Sequence, residues 1–390
     1  MSDQEKKAEA KKDETETKSD KIDPTKIKKV SEFAHDCPLT TCRVESSGHY
    51  AFAGAEDSNV YRWDLESGEK VALIGHESWI RHLEISADGK WLFTSGWDGQ
   101  LGIWEVAGQA TPIDRPKVEE AKTDEKAKKE DKKKEEKKPE RLLNEPPEDA
   151  AATLAPTRMI VAHDGWVRAC RMSPDGKTFA TCGNDKLIKI WDRESLEVIA
   201  TYAGHERHVW HVAFHPAGKE LVSFDLMGVV KVWDLESGKE VRTIDGGIMQ
   251  GYDNKFAADM GGAREIQFNS DGELFACSGI TNVRNAFAGV QTAVVGLFDY
   301  KAGKHLRLLG DKGGDFQGIC WGVRFHPEGY IIGSAASRGS SGVIWFWKPD
   351  NEKPFHTFKT PGGVRGMDML ADNRRLVTAE NDGKLRVYTM

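Results

Sequence analysis

The chain has 390 residues, of which 62 are acidic and 55 basic, and its formal net charge is −7. Outside two mixed-charge stretches, 1–29 and 117–141, the chain has 35 basic and 45 acidic residues. This acidic excess argues against nucleic-acid binding, because such binding needs a basic surface. There is no apolar leader and no run near the ~20 apolar residues of a membrane span, so we expect no membrane partner. The six cysteines form no CxxC pair, so we expect a reducing, cytoplasmic setting.

The first segment, 1–26, consists mainly of Lys, Glu, Asp and Thr. Such a segment cannot bury enough apolar surface to offset the entropy lost on ordering. We therefore expect a disordered, charged N-terminal tail over 1–26 and a folded domain over 27–390.

Seven segments of this domain share one ending, an alternating apolar strand that closes on an aromatic residue. The closing residues are Trp63, Trp104, Trp191, Trp233, Phe298, Trp347 and Tyr388. The shortest spacings between them are 41 and 42 residues, and a strand before a His opens several repeats. A repeat of about 40–45 residues with this start and end indicates a propeller of four-stranded blades. The predicted fold is all-β, a seven-bladed β-propeller.

Residues 27–33 precede His35 in the way that outer strands precede a His in later repeats. The sequence stops directly after the third strand of the last blade, so that blade needs an outer strand from elsewhere. We expect residues 27–33 to pair with 384–388, because this pairing closes the ring and removes an open sheet edge.

A charged insertion, 106–157, interrupts the array between the second and third blades. Its Lys/Glu-rich part suits either a solvated helix with i,i+4 ion pairs or a disordered segment. We predict a solvated insertion; a tether for a partner is the alternative. Shorter insertions lengthen the loops of blades five and six at one end of the ring, which we call the top, at 247–262, 281–291, 311–318 and 337–342.

Within the blades, a His, a Ser or Thr, an Asp and the closing Trp recur at fixed spacing. The complete sets are His76, Thr94, Asp98 and Trp104 in blade two, and His163, Thr181, Asp185 and Trp191 in blade three. In these motifs residues 27–390, without 106–157, resemble the WD-repeat β-propeller family. The resemblance implies that each set forms a hydrogen-bonded network inside its blade. Blade one has Ala53 in place of the hydroxyl residue, blade four has Met227 in place of the Asp, and blades five and six have largely lost the set.

These networks have the composition of a Ser-His-Asp hydrolase triad, but a hydrolase needs one activated nucleophile in a cleft rather than several copies between strands. We therefore predict structural networks and no catalytic residue. Four histidines, His205, His208, His211 and His215, straddle one strand, and one ion cannot collect ligands from both ends of it. We expect neither a metal nor a cofactor, with a His205–His208 pair as the alternative.

A ring of arginines and tryptophans stands out when the seven inner strands are aligned. The second residue of each strand should surround one mouth of the channel. These residues are Thr40, Arg81, Arg168, Trp210, Arg264, Trp321 and Arg365, and Trp79, Trp97, Trp166 and His208 should lie at the same rim. Trp and Arg are enriched at binding hot spots, and Arg binds carboxylate or phosphate in a bidentate manner. Alternatively, each Arg pairs with a local acid such as Glu56 or Asp368, and each Trp packs between blades.

The first functional hypothesis is a non-enzymatic scaffold that binds a peptide or protein on the top face. The predicted partner-binding residues are Arg81, Arg168, Arg264, Arg365, Trp79, Trp97, Trp210 and Trp321. The ring would be monomeric within a larger complex, and nucleic acid is not expected as a partner. The alternatives are an enzyme that uses Asp253, Asp259 or Asp315 in the long loops, and a reader of acidic or phosphorylated tails.

Overall fold

The computed structural model describes residues 21–114, 146–285, 289–313, 316–339 and 341–390. Most of the predicted tail and the centre of the charged insertion lie outside the described residues, as does Asp315. In the tail that we predicted to be disordered, the structure places Pro24–Lys26 in a short 3-10 helix capped by the side chain of Asp23. The backbone N–H of Ile22 donates to the carboxylate of Glu328 on blade six at 3.2 Å.

Strands account for almost all of the regular structure. The first sixteen are β1 Lys28–Ala34, β2 Leu39–Val44, β3 Tyr50–Ala55, β4 Val60–Asp64, β5 Lys70–Leu73, β6 Ile80–Ile85, β7 Trp91–Gly96, β8 Gln100–Glu105, β9 Thr111–Pro112, β10 Ala152–Leu154, β11 Arg158–Val161, β12 Val167–Met172, β13 Thr178–Gly183, β14 Ile188–Asp192, β15 Val198–Tyr202 and β16 Val209–Phe214. The others are β17 Glu220–Asp225, β18 Val229–Asp234, β19 Glu240–Asp245, β20 Gly251–Asp253, β21 Ala258–Met260, β22 Glu265–Phe268, β23 Leu274–Asn285, β24 Val290–Asp299, β25 Lys304–Leu309, β26 Gly318–Phe325, β27 Ile331–Ser337, β28 Gly342–Trp347, β29 His356–Thr360, β30 Val364–Met369, β31 Arg375–Glu380 and β32 Lys384–Thr389. A second 3-10 helix spans Gly247–Met249.

These strands form seven antiparallel blades, which confirms the predicted propeller. From the channel outward the blades are β2-β3-β4-β5, β6-β7-β8-β11, β12 to β15, β16 to β19, β22 to β25, β26 to β29, and β30-β31-β32-β1. The inner strands β2, β6, β12, β16, β22, β26 and β30 each contact the next, and β30 contacts β2. The ring is therefore closed around a central channel.

The blades pack against one another through buried apolar side chains, and strands such as β3, β27 and β28 are buried along nearly their whole length. All seven closing aromatics are buried, with exposed fractions of 0–3%. Seven apolar clusters hold the ring together, and several draw residues from two neighbouring blades. Burial of this kind supplies most of the stability of a sheet protein. The repeated strand pattern therefore determines the architecture.

The last blade contains strands from both ends of the sequence. Strand β1 lies antiparallel to β32, with Lys28 opposite Thr389 and Ala34 opposite Lys384. An ion pair between Arg386 and Glu32, at 2.8 Å, joins the same two strands. The outer edge of β32 is therefore covered rather than open.

The flanks of the charged insertion extend blade one. Strand β10 pairs in parallel with β5, and β9 pairs with β10, so the sheet of blade one has six strands. Arg62 fixes the start of the insertion, because its guanidinium donates to the carbonyls of Val106 and Gly108 at 2.9 and 3.0 Å. Asp149 at the other end forms an ion pair with Lys70. A purely solvated insertion does not describe these flanks.

Candidate binding site at the mouth of the channel

The predicted His networks form inside the blades. In blade two the ring of His76 bonds the Asp98 carboxylate at 2.9 Å and the Thr94 hydroxyl at 2.7 Å, and the Trp104 indole donates to that hydroxyl at 2.9 Å. In blade three the His163–Asp185, His163–Thr181 and Trp191–Thr181 distances are 2.9, 2.8 and 2.8 Å. The hydroxyls sit between buried rings and have no access to solvent. These contacts bury polar groups with their partners satisfied, which is a structural role.

Blade four keeps a network that the sequence reading treated as incomplete. We took Met227 as the residue in place of the Asp, but the structure uses Asp225, two positions earlier. Its carboxylate lies 2.9 Å from His205, whose other nitrogen bonds Ser223 at 2.6 Å. This also accounts for His205, while His208 bonds the carbonyl of Asn184 at 2.7 Å. A His205–His208 metal pair is therefore not needed to explain either residue.

Three of the predicted arginines meet over the channel. The guanidinium of Arg81 in blade two lies 5.3 Å from the ring centre of Trp321 in blade six. Arg264 in blade five lies 3.9 Å from Trp210 and 5.5 Å from Trp321. Arg168 in blade three completes the group at 4.0 Å from Trp210. We call these five residues the mouth cluster.

None of the three mouth arginines forms an ion pair with a carboxylate among the residues that the structure describes. Arg168 donates to the amide oxygen of Asn184 at 2.7 Å. Arg264 donates to the carbonyls of Gly261 and Gly262 at 2.7 and 2.9 Å. The alternative of local acid pairing applies to Arg365, which pairs with Glu56 and is partly exposed. We therefore place Arg365 at the rim, outside the mouth cluster.

The charge of the mouth cluster is poorly compensated. Burial lowers the pKa of Arg81 to about 10, with Glu265 acting in the opposite direction. Burial and the neighbouring Arg81 lower the pKa of Arg168 to about 9. Burial, with Arg81 and Arg168, lowers the pKa of Arg264 well below its usual range. Since exposed fractions are only 5–8%, an anion placed here would relieve both repulsion and desolvation.

Tryptophans continue the cluster along the rim. The ring of Trp166 lies against Arg168 at 4.7 Å and is stacked on Trp97 with 3.9 Å between centroids and 3° between planes. Trp79 stacks on Trp97 in turn, at 4.9 Å, and is 38% exposed. Four buried donors in this layer make no hydrogen bond to any of the residues that the structure describes, namely Arg81 Nη2, Arg264 Nε, Trp97 Nε1 and Trp210 Nε1.

One glycine makes this stack possible. Gly262 has φ +82°, and a Cβ at this position would lie 2.3 Å from the ring of Trp210. The ring therefore lies directly on the backbone, while the carbonyls of Gly261 and Gly262 accept from Arg264. The Gly261–Gly262 pair therefore serves close packing in the mouth.

Below the mouth, a group of ion pairs fills the channel. One carboxylate oxygen of Glu265 lies 3.0 Å from Arg43, 2.7 Å from Arg171 and 2.5 Å from Arg324. Glu84 pairs with Arg171 at 3.0 Å, and Asp368 pairs with Arg324 at 3.0 Å. We call these six residues the channel ion cluster. Its three guanidiniums balance its three carboxylates, so the channel ion cluster carries no net charge below the positively charged mouth cluster.

We did not predict the channel ion cluster from the sequence, although a signal was present. Five of its members occupy one equivalent position of the aligned inner strands, namely Arg43, Glu84, Arg171, Arg324 and Asp368. In an alignment of the inner strands, each of these five residues follows the ring of arginines and tryptophans by three positions.

The long loops of blades five and six add a recess beside the mouth. A pocket of 620 Å³ is lined by Trp321, Arg338, Arg365 and Gln291, among others. Of the acids suggested for an enzyme, Asp253 is buried and accepts from the backbone N–H groups of Lys255 and Phe256 within the β20–β21 turn. That role is structural. Asp259 lies opposite Tyr252 in the same hairpin.

Comparisons with known proteins agree with this architecture. The family model described as "WD domain, G-beta repeat" matches residues 27–64, 68–105, 154–192, 196–234 and 352–389. Its matches leave out residues 235–351, which contain blade five and the first three strands of blade six, where the sequence sets are lost. Among the described residues, no helix has the length and apolar character needed to cross a membrane.

The chain is also similar to several curated fungal proteins. It is 27% identical over 214 residues to the nuclear distribution protein nudF of Aspergillus niger, and 30% identical over 218 residues to that of Emericella nidulans. Each match covers 54% of this chain and 43% of the relative. A nuclear distribution protein PAC1 of Arthroderma otae is 26% identical over 48% of this chain and 36% of its own length. The chain thus spans less than half of these relatives. With seven blades, the His networks and five matched repeats, the chain belongs to the WD-repeat β-propeller family.

Proposed function

We propose that this chain is a non-enzymatic protein-interaction scaffold that binds an acidic or phosphorylated segment of a protein partner at the mouth cluster. The observation that carries the proposal is the set of three buried guanidiniums, Arg81, Arg168 and Arg264, that stack on tryptophans without a carboxylate partner. Buried cations are ordinarily paired, so their arrangement leaves room for an anion from outside.

The surrounding surface supports a peptide rather than a small anion. The partly exposed faces of Trp79, Trp97, Trp210 and Trp321 offer apolar anchors beside the cationic centre. The adjoining pocket extends this surface toward Arg338 and Arg365. A segment that carries carboxylates or phosphates among apolar residues matches both features, as binding hot spots combine Trp and Arg in desolvated centres.

Binding of matched peptide pools tests the proposal. Three pools of short peptides would share their apolar residues and differ in carrying phosphoserine, Asp/Glu, or Lys at the remaining positions. We expect the protein to retain the two anionic pools and not the Lys pool, and to lose them as salt is raised. Arg264→Gln or Arg168→Gln should weaken binding by about 2–5 kcal/mol if the anion is fully buried, and by less at the rim.

The matched control is Arg207→Gln, which changes an exposed arginine in the loop before β16. It should leave retention unchanged. Equal retention of all three pools, or equal loss in the control and the mouth variants, would contradict the proposal. A circular dichroism spectrum and melting curve for each variant separate lost binding from lost folding.

A further inference from the structure

The junction of blades seven and one contains a cluster that combines the His and the Asp of the incomplete network of blade one with a nearby cysteine. It comprises His35 and Cys37, just before β2, and Asp57 in the turn after β3. A ring nitrogen, the thiol sulfur and a carboxylate oxygen of these residues all lie within 4.8 Å of one another. His35 is buried, whereas Cys37 and Asp57 are partly exposed.

The cluster arises because blade one lacks the hydroxyl of its network. In blades two, three and four, Nε2 of the His bonds a Thr or Ser hydroxyl at 2.6–2.8 Å. Ala53 occupies that position in blade one. The Nε2 atom of His35 consequently makes no hydrogen bond within the described part of the chain, although its side chain is fully buried. It faces Oδ2 of Asp57 at 3.3 Å.

The one nitrogen–oxygen separation that the contacts define suits a tetrahedral metal ion, and the thiol sulfur lies within 4.8 Å of both atoms. Zinc binds nitrogen and oxygen at ~2.0–2.2 Å and sulfur at ~2.3 Å, which places neighbouring ligand atoms roughly 3.3–3.8 Å apart in a tetrahedron. The distance of 3.3 Å between Nε2 and Oδ2 falls in this range. A thiolate, an imidazole and a carboxylate together favour zinc, whereas calcium and magnesium take oxygen ligands.

Neighbouring groups can orient these ligands. The Tyr61 hydroxyl donates to Oδ2 of Asp57 at 2.5 Å. On the far side of the His35 ring, Nδ1 lies 3.3 Å from a carboxylate oxygen of Asp36. If Nδ1–H donates to this carboxylate, Nε2 keeps its lone pair for a metal, as in carboxylate–histidine–zinc arrangements.

One contact favours the opposite tautomer. The ammonium group of Lys70 also lies 3.3 Å from Nδ1 of His35. Donation from Lys70 to Nδ1 would put the ring proton on Nε2 and prevent coordination. Lys70 has other partners, because Asp149 pairs with it and the Ala34 carbonyl lies 3.4 Å away. The ring can therefore give up its contact with Lys70.

We propose that His35, Cys37 and Asp57 form a zinc site with three protein ligands and a fourth position for water or for a side chain of a bound partner. The site lies at the same end of the ring as the mouth cluster, since both flank the start of an inner strand. It was not expected from the sequence, which gave no metal-ligand spacing in this region. It does not depend on the proposed function.

Cobalt binding tests the site, because Co²⁺ reports thiolate coordination through a charge-transfer band. Untagged full-length protein, freed of metals with a chelator, would be titrated with Co²⁺ alone. We expect one equivalent to bind with a cobalt–thiolate band. Cys37→Ser should abolish the band, and Asp57→Asn should lower the affinity by about tenfold or more. His49→Gln is the matched control, because it changes an exposed His–Asp pair of the same blade and should alter nothing.

Thiol reactivity gives a second readout. Cys37 is the one cysteine of the six that is not buried. It should react first with a thiol reagent in the native protein, and one equivalent of Zn²⁺ should protect it. A wild-type protein without the thiolate band, or with a band that survives Cys37→Ser, overturns the proposal. Metal binding by Lys70→Met but not by the wild type overturns it as well, because the natural lysine would then block the site.

Discussion

At the scale of single residues, the polar networks show how one side chain can replace another that lies nearby. Asp225 takes the place expected for residue 227 because its carboxylate reaches His205. In blade seven, Glu380 accepts from Thr378 at 2.8 Å and from Tyr388 at 2.9 Å, although this blade has no His. A position-by-position match to the repeat therefore underestimates how many blades hold a buried polar network.

The first prediction compares two of these networks. His76→Ala and Asp225→Ala should each lower the free energy of unfolding by roughly 1–3 kcal/mol, because each leaves buried polar partners unsatisfied. Urea denaturation midpoints at constant slope measure the change. The exposed His49→Ala is the control and should stay within about 0.5 kcal/mol of the wild type. If Asp225→Ala changed the free energy of unfolding as little as His49→Ala, the network of blade four would not contribute to stability.

The mouth arginines could be located from the sequence, but their partners could not. Register placed Arg81, Arg168 and Arg264 at one level of the channel. Which of them would stack on Trp210, and which would find an acid, depends on side-chain rotamers and on the backbone of the neighbouring blade. Arg365 illustrates this limit, since the same register position leads to a pair with Glu56.

At the scale of elements, β1 is the strand that completes the last blade by pairing with β32. Deleting residues 2–20 should leave the melting temperature nearly unchanged, because β1 stays in place. Deleting 2–34 removes β1, exposes the edge of β32 and leaves Arg386 without Glu32. We expect a sharply lower melting temperature or aggregation, measured by differential scanning calorimetry and light scattering. Equal melting temperatures would mean that β1 contributes little to closure.

A second prediction at this scale separates the centre of the insertion from its flanks. Replacing 115–145 with a short Gly/Ser linker should preserve the melting temperature, because long surface loops add little closure entropy. Replacing 107–156 also removes β9 and β10, the Gly108 carbonyl that accepts from Arg62, and Asp149, which pairs with Lys70. That variant should melt lower. A lower melting temperature for the 115–145 replacement than for the 107–156 replacement would contradict the separation of the centre from the flanks. A large drop in the melting temperature of the 115–145 replacement would contradict it as well.

The sequence could not reveal β9 and β10. Strands of two and three residues carry no periodicity, and β10 pairs in parallel with a strand 81 residues earlier, since Ala152 lies opposite Val71. The strong repeat, in contrast, made the seven blades and their inner strands predictable. Pairing between distant segments outside the repeat depends on the folded structure and leaves no local signal in the sequence.

At the scale of the whole molecule, the channel ion cluster joins six of the seven blades through Glu265 and its partners. Burial alone would raise the pKa of Glu265, but Arg324, Arg43 and Arg171 lower it far below its ordinary value. A carboxyl with a lower pKa in the folded state stabilises the fold above its unfolded pKa of about 4.3, and this contribution is lost as the pH falls toward the folded pKa.

The corresponding prediction concerns acid stability. The wild type should lose stability as the pH falls below about 4.3, the ordinary pKa of a glutamate. Glu265→Gln should be less stable at neutral pH, because three guanidiniums lose their shared charge, and part of the acid-dependent loss should disappear. Urea midpoints between neutral and acidic pH measure both effects. Parallel pH profiles for the two proteins would show that Glu265 does not link ionisation to folding.

Photo-crosslinking of a bound anionic peptide tests directly whether the mouth cluster is the binding site. The peptide would carry a photoreactive group next to its phosphoserine or glutamate, and mass spectrometry would locate the adducts. We predict adducts on Trp210 and Trp321 and on neighbouring residues of their own inner strands, β16 and β26. Excess unlabelled peptide should suppress these adducts, and Arg264→Gln should abolish them. Specific adducts that fall elsewhere, on the outer strands or the bottom of the ring, would contradict a binding site at the mouth.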